Sequence, residues 1–450
     1  MHLLQQILFV LLTAAAVWLF ARKVRMIRRN IMLGRDEELK DNPGARWRNM
    51  LLMAFGQKRM FDKPLVGLLH LIVYVGFVII NIEIVEIVLD GIFGTHRLFA
   101  PYLGGLYSFI INFFEILAFS VLATVIIFLL RRNAVKVKRL VMQELNGWPK
   151  SDANYILYFE IVLMSLFLIM NAADKALQLR AYGHYADVQT DFFISGLITP
   201  LFTDLPTGTL VALERGAWWL HIAGIFVFLN YLPYSKHLHI LLAFPNTYYA
   251  RLAPQGQMSN MPEVQREVLY AMDPAAIPAE PAEAEGPKRF GAKDVTDLSW
   301  KNLLDAYTCT ECGRCTEACP ANQTGKILSP RKIMMDTRDR MEEIGANIDK
   351  HGSFQDDGKS LLHAYVTTEE LWACTSCQAC VQACPVQINP LHIINQMKRY
   401  LALEESNQPG EWNGMYSNVE NNFAPWKFSP DERANWALEL NEQGSQGAQP

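Results

Sequence analysis

All eight cysteines of this 450-residue chain fall in two short runs, TCTECGRCTEACP at 308–320 and WACTSCQACVQACP at 372–385. Each run has the form Cys-x-x-Cys-x-x-Cys-x-x-x-Cys-Pro, with Cys309, Cys312, Cys315 and Cys319 in the first and Cys374, Cys377, Cys380 and Cys384 in the second. Three thiolates at this interval wrap a loop around one face of an iron–sulfur cube, and the proline after the fourth turns the chain away. Zinc sites use separated Cys-x-x-Cys pairs and give a third cysteine at this spacing no tetrahedral role. Disulfides are disfavoured for runs on the cytoplasmic side of a membrane. The chemistry indicated is therefore one-electron transfer through two [4Fe–4S] clusters.

Two-cluster ferredoxins share this spacing, and in them the fourth cysteine of each run ligates the other cluster. Cluster one is accordingly expected on Cys309, Cys312, Cys315 and Cys384, and cluster two on Cys374, Cys377, Cys380 and Cys319. Fifty-four residues separate the runs, and their Met/Leu/Ile spacing in ILSPRKIMMDTRDRMEEIG predicts helices. The soluble part is read as an α-helical dicluster ferredoxin domain.

Histidines and intramembrane carboxylates are the other reactive groups. His70, His221, His237 and His239 lie in or at the edges of apolar segments. A b-type haem with two histidine ligands needs imidazoles on different helices at one depth. His70 is seven residues past Lys63, about 10 Å from the inner edge. His239, with His237 as substitute, ends the last apolar segment at that depth, so one haem is expected on this pair. In a regular helix His221 and His239 are five turns apart on one face. A second haem on His221 would lack a partner, because Ile80 stands where the second helix would supply one; a structural or quinone-bonding role is the other reading of His221. Glu83, Glu86 and Glu115 fall toward the outer ends of apolar helices, where ionisable groups suggest function. With His221 they form the expected quinone and proton site.

These groups need a scaffold of two parts. Five segments, near 3–20, 65–89, 107–130, 153–172 and 216–240, are long and apolar enough to cross a hydrocarbon core. The first lacks a basic leader and is read as a retained anchor helix. Lys and Arg number twelve in 21–64 and six in 131–152, but one in 90–106 and three in 173–215. The positive-inside rule then puts the N-terminus outside and the C-terminus in the cytoplasm of a multi-pass plasma (inner) membrane protein. A net charge of −4 gives no reason to expect nucleic acid. The expected fold is all-α, with a five-helix membrane domain (1–245), a mobile Pro/Ala/Glu linker (246–296), the ferredoxin domain (297–405) and a partner-docking tail (406–450).

The five-helix part resembles the gamma-type cytochrome b subunit of nitrate reductase, and the soluble part resembles the C-type subunit of heterodisulfide reductase. Their fusion, including WWLHIAGIFVFLNYLPYSKHLHILLAFPN at 218–246, resembles the membrane-bound heterodisulfide-reductase-related iron–sulfur oxidoreductases. The gamma-type pattern has two haem histidines on its second helix where this chain has His70 alone. Many such proteins continue into a cysteine-rich CCG domain, but no cysteine follows Cys384. The resemblance implies a separate CCG-type subunit docking near 405–440, with electron-transfer flavoprotein among the donors of comparable complexes. It implies an oxidoreductase subunit passing electrons between a cytoplasmic partner and membrane quinone. A rival reading is a haem-free membrane anchor carrying a ferredoxin head. A transporter is disfavoured because no internal repeat of helices is visible.

Overall fold

The computed structural model describes residues 3–186, 190–254, 256–277, 289–432, 434–438 and 440. Among them no strand forms, only isolated bridges between Arg35 and Ser299 and between Leu362 and Val366. Five helices are long and apolar enough to cross a membrane. They are α1 (Leu3–Ile31), α2 (Pro64–Phe93), α3 (Gly105–Asn133), α4 (Trp148–Leu179) and α5 (Thr207–Tyr231). In lipid a helix satisfies its own backbone, which is why these apolar runs fold this way. Pro64 and Pro149 sit in first turns, where a missing N–H costs nothing. The last turns of α1 and α3 carry Arg28–Arg29 and Arg131–Arg132, which complement the terminal carbonyls and mark the same end of the bundle.

Each helix packs on the next, and α5 returns to α1. Ile80, Ile111, Phe114, Ala118, Phe167 and Ile222 fill the interior, while Leu65, Ile82, Phe109 and Leu220 stay exposed on the outer, lipid-facing surface. The fifth segment departs from the expected span. Its helix ends at Tyr231, and Pro233 and Ser235 carry the chain through two 3-10 turns, Leu232–Tyr234 and Lys236–Leu238. A new helix, α6 (His239–Tyr248), follows. The regular five-turn register between His221 and His239 therefore does not hold.

The soluble head is built on α7 (Trp300–Thr308), α8 (Pro330–His351) and α9 (Pro390–Leu403). Ser299, Ser329 and Asn389 cap them by accepting from backbone N–H groups at Asn302, Lys332 and His392. The segment expected as an extended linker holds a helix at Pro262–Met272, started by its proline and Glu263; most of MDPAAIPAEPAEAEGPK, at 278–288, lies outside the described residues.

The head does not hang from that segment. Ile27 and Ile31 of α1, with Leu238, are buried in the same core as Leu303, Ile333, Met341, Leu361, Ile393 and Met397. Burying such side chains contributes about 1.5–3 kcal/mol each. Asn30 donates to the Tyr307 hydroxyl at 3.0 Å, and a Cβ at Gly345 would stand 2.5 Å from Asn30 Oδ1. Arg29 pairs with Asp349 and Arg35 with Asp297 across the same seam. Membrane bundle and head are one packed body.

Candidate functional site

The two cysteine loops have matching backbones. Glu311 and Gly313 have positive φ in the first, and Ser376 and Gln378 take the same region at the equivalent positions of the second. A five-residue helix follows each, Arg314–Ala318 and Ala379–Ala383, and the two pack together. The next cysteine is then extended, with φ −74 for Cys319 and −79 for Cys384. Backbone N–H groups of Glu311, Ser376 and Ile388 point at the sulfurs of Cys309, Cys374 and Cys384 at 3.3–3.4 Å.

Cys319 lines one cavity together with Cys374, Cys377 and Cys380. Cys384 lies within charge range of Cys309 and Cys312, and Cys315 within range of all three. Burial pushes the Cys309 and Cys380 thiols up to about 12, so thiolates here need positive charge from bound metal. Among the described residues no three His, Cys, Asp or Glu converge as a single-ion site. Two four-thiol cages with N–H donors aimed at sulfur fit iron–sulfur cubes.

The surroundings of the loops differ. Arg59, in the turn before α2, donates to the carbonyls of Val381 and Cys384 at 3.1 Å and accepts from Arg314 through its own carbonyl at 3.0 Å. Arg331 reaches the carbonyls of Arg139 and Glu311 and pairs with Glu144 at 2.6 Å. Glu311 is buried between Lys236 and Arg338. The first loop is thus clasped by the ends of the bundle on the side of the head. The second meets the bundle at its end, where Arg59 grips Val381 and Cys384, but its start faces away: Cys377 is exposed, and beside Cys374 lie Lys398 and Trp372, the latter stacked edgewise on Trp412 at 5.0 Å.

Three histidines meet at the end of the bundle that carries the head, next to the first loop. His70 lies within charge range of His239 and of Arg314, and His237 within range of both His70 and His239. Burial and these two neighbours push His237 down to about 3, so its ring is neutral. Nδ1 of His70 faces Gln57 Oε1 at 3.0 Å, and Nδ1 of His239 faces the Lys236 carbonyl at 3.1 Å. Both acceptors require the proton on Nδ1, leaving a lone pair on Nε2 as a metal ligand needs. His70 and His239, with His237 beside them, are the side chains that would hold a haem here.

Glu83, Glu86 and Glu115 converge at the other end of the bundle, around Arg97, the single Lys or Arg of 90–106. Arg97 is buried and binds Asp174 (2.7 Å), Asn171 (3.0 Å) and Tyr107 (3.3 Å). Tyr107 donates to Glu86 at 2.8 Å, and Asn171 donates to Glu115 at 3.1 Å. Glu115 also accepts from the backbone of Ile194 and Ser195, in the irregular DFFISGLITP segment. Glu83 is buried and its Oε2 has no partner among the described residues. Asp174, an acid inside an apolar helix, was the signal that could have exposed this network. His221 is not part of it. Its Nδ1 is bonded to the Leu163 carbonyl at 3.0 Å, eight residues and about 12 Å along α4 from Asn171.

Residues 308–388 match the family model described as 4Fe-4S dicluster domain. The chain is 28% identical over 459 residues to "Probable iron-sulfur-binding oxidoreductase FadF" of Bacillus subtilis, covering 96% of this chain and 60% of that one. It is 27% identical over 423 residues to "EtfAB:quinone oxidoreductase" of Syntrophomonas wolfei, covering 87% of this chain and 53% of that one. A 167-residue stretch is 32% identical to "Probable membrane-anchored ferredoxin" of Chromohalobacter salexigens, 34% of this chain and 25% of that one. The chain thus spans less than two thirds of each relative. No solved structure matches.

Proposed function

We propose that this membrane protein, related to iron–sulfur oxidoreductases and carrying a 4Fe–4S dicluster domain, is a subunit that passes electrons between a soluble redox partner and membrane quinone. Cys309, Cys312, Cys315 and Cys384 would hold the membrane-facing cluster, and Cys374, Cys377, Cys380 and Cys319 the outward one. His70 with His239, or His237 in its place, would hold a b-type haem. When bound, these groups supply one-electron carriers. The observation that carries the reading is the order of the sites: an exposed cage at Cys377, a clasped cage at Arg59 and Arg314, then His70 within charge range of Arg314.

The protein's own residues do the rest. Arg59, Arg314 and Arg331 fix the first loop against the bundle and exclude water from it. Gln57 and the Lys236 carbonyl hold the histidine tautomers. At the far end, Glu83, with a free buried oxygen, and Glu86 and Glu115, held by Tyr107 and Asn171, are suited to give and take the protons of quinone chemistry. The arginine-rich ends of α1 and α3 lie on the side of the head, which under the positive-inside rule supports a head in the cytoplasm and an N-terminus outside. The exposed cage and the apolar tail beyond it suit docking of a separate CCG-type subunit or an electron-transfer flavoprotein.

The test is a reduced-minus-oxidised spectrum of the purified full chain, with and without His70→Ala, alongside reduction of a soluble quinone analogue. A b-type band that His70→Ala removes, together with quinone reduction, is the expected result. Absence of the band in the unaltered protein leaves the haem-free anchor instead. A band that survives His70→Ala overturns the ligand assignment.

A further inference from the structure

One short segment touches both candidate centres. Gln57 precedes the 3-10 turn Lys58–Asp62 and is 5% exposed, with φ 48 and ψ 33. That left-handed conformation is unfavourable for a residue other than glycine and persists only where its surroundings enforce it. What it achieves here is to turn an amide oxygen inward onto Nδ1 of His70 at 3.0 Å. Two residues on, the guanidinium of Arg59 donates to the carbonyls of Cys384 and Val381 at 3.1 Å. The carbonyl of Arg59 accepts from Arg314, inside the first cysteine run, at 3.0 Å. Lys63 closes the segment by pairing with Glu317 of the same run.

We propose that Gln57 and Arg59 are positioning residues that set the potentials of the two centres in opposite senses. The inference rests on His70 as a haem ligand and Cys384 as a ligand of the membrane-facing cluster. An acceptor on the Nδ1–H of a ligating histidine strengthens the ring as a donor, which favours ferric iron and lowers its potential. A guanidinium beside a cysteine ligand favours the more negative, reduced cluster and raises its potential. The turn also fixes the separation of the centres, because the residue that orients His70 and the one that grips Cys384 are two apart in the chain.

Redox titration of the purified full-length protein tests this, following the haem optically and the clusters by electron paramagnetic resonance. Gln57→Leu is expected to shift the haem midpoint upward and Gln57→Glu to shift it downward, with both clusters unmoved. Arg59→Met is expected to shift one cluster downward and leave the other cluster and the haem in place. An unchanged haem midpoint in Gln57→Leu, with the b-type band retained, overturns the role of Gln57. Unmoved clusters in Arg59→Met overturn that of Arg59. Should Gln57→Leu lose the band, Gln57→Glu, which keeps an acceptor, must retain it, and failure to do so also overturns the proposal. Absence of the band in the unaltered protein removes the haem assignment and the role of Gln57 with it, whereas the Arg59→Met arm reads on the clusters alone.

Discussion

Gly313 and Gln378 occupy the same place in two loops of the same backbone shape, with φ of 73 and 66. They are nonetheless not interchangeable. A Cβ on Gly313 would lie 2.4 Å from Nη1 of Arg331 and 3.1 Å from the carbonyl of Arg139, whereas Gln378 lines the cavity shared by Cys374, Cys377 and Cys380. Two residues earlier the contrast recurs, with Glu311 buried between two cations and the Ser376 hydroxyl facing the Asn395 side-chain oxygen at 3.4 Å. The loops share what a cluster demands, which is backbone geometry and sulfur placement. They differ in what the neighbourhood demands, since the first loop is an interface with the membrane bundle and the second meets it only at its end, near Val381 and Cys384.

That contrast can be broken or sharpened by paired substitutions. The largest effect belongs to the ligands. Cys315→Ser and Cys377→Ser should each reduce iron from about eight to about four atoms per chain, but only the first should also lower thermal stability markedly, as its loop is clasped. Equal stability loss in the two would remove the asymmetry. Next, Glu311→Gln leaves Lys236 and Arg338 only their more distant partners, Asp152 at 3.9 Å and Asp339 at 3.6 Å, and should cost about 3 kcal/mol. Its counterpart Ser376→Ala should stay within about 0.5 kcal/mol, both read by denaturant unfolding.

The same carboxylate gives a pH dependence. Burial alone would raise Glu311, but Arg338 and Lys236 outweigh it and hold it below its ordinary value of 4.5. Its contribution is therefore complete above about pH 4.5 and fades as pH falls through the lower folded value. Stability measured from pH 7 to 3 should fall less steeply in Glu311→Gln than in the unaltered chain.

Gly313→Ala should cost about 1–3 kcal/mol from crowding against Arg331, while Gln378→Ala should be near neutral. A melting curve for each decides whether the first loop is as tightly seated as its contacts indicate. The smallest effect is that of Lys63→Ala. Its pair with Glu317 is exposed on both sides, so about 0.2–1 kcal/mol is expected, diminishing with added salt.

How far the sequence led depended on whether a feature is local. Cysteine spacing and apolar length are properties of short stretches, and the helical fold with five spans and a dicluster domain follows from them. The end of α5 was legible in principle, because Pro233 lacks the N–H a continuing helix needs, but hydropathy runs on through it to Ile240. Arg97 looked like an ordinary loop charge because its partners, Asp174 and Asn171, lie on a helix two spans later. Likewise Gln57 and Arg59 become conspicuous only when folding brings them to His70 and Cys384, residues 13 and 325 positions away. The seating of the head was hidden for a further reason. Isoleucines at 27 and 31 sit in an arginine-rich stretch and read as the frayed end of a membrane span, not as half of a core.

The contact of Asn30 on Gly345 has a consequence for how the molecule is made. Helix α1 is completed only by a domain synthesised some three hundred residues later, as the 316-residue span between Arg29 and Gly345 indicates. Until that domain folds, Ile27 and Ile31 have no core to enter. The head in turn lacks part of its wall until α1 is in the membrane. Assembly therefore closes the chain on itself from its two distant parts, and a severed head would be a ferredoxin with an open side.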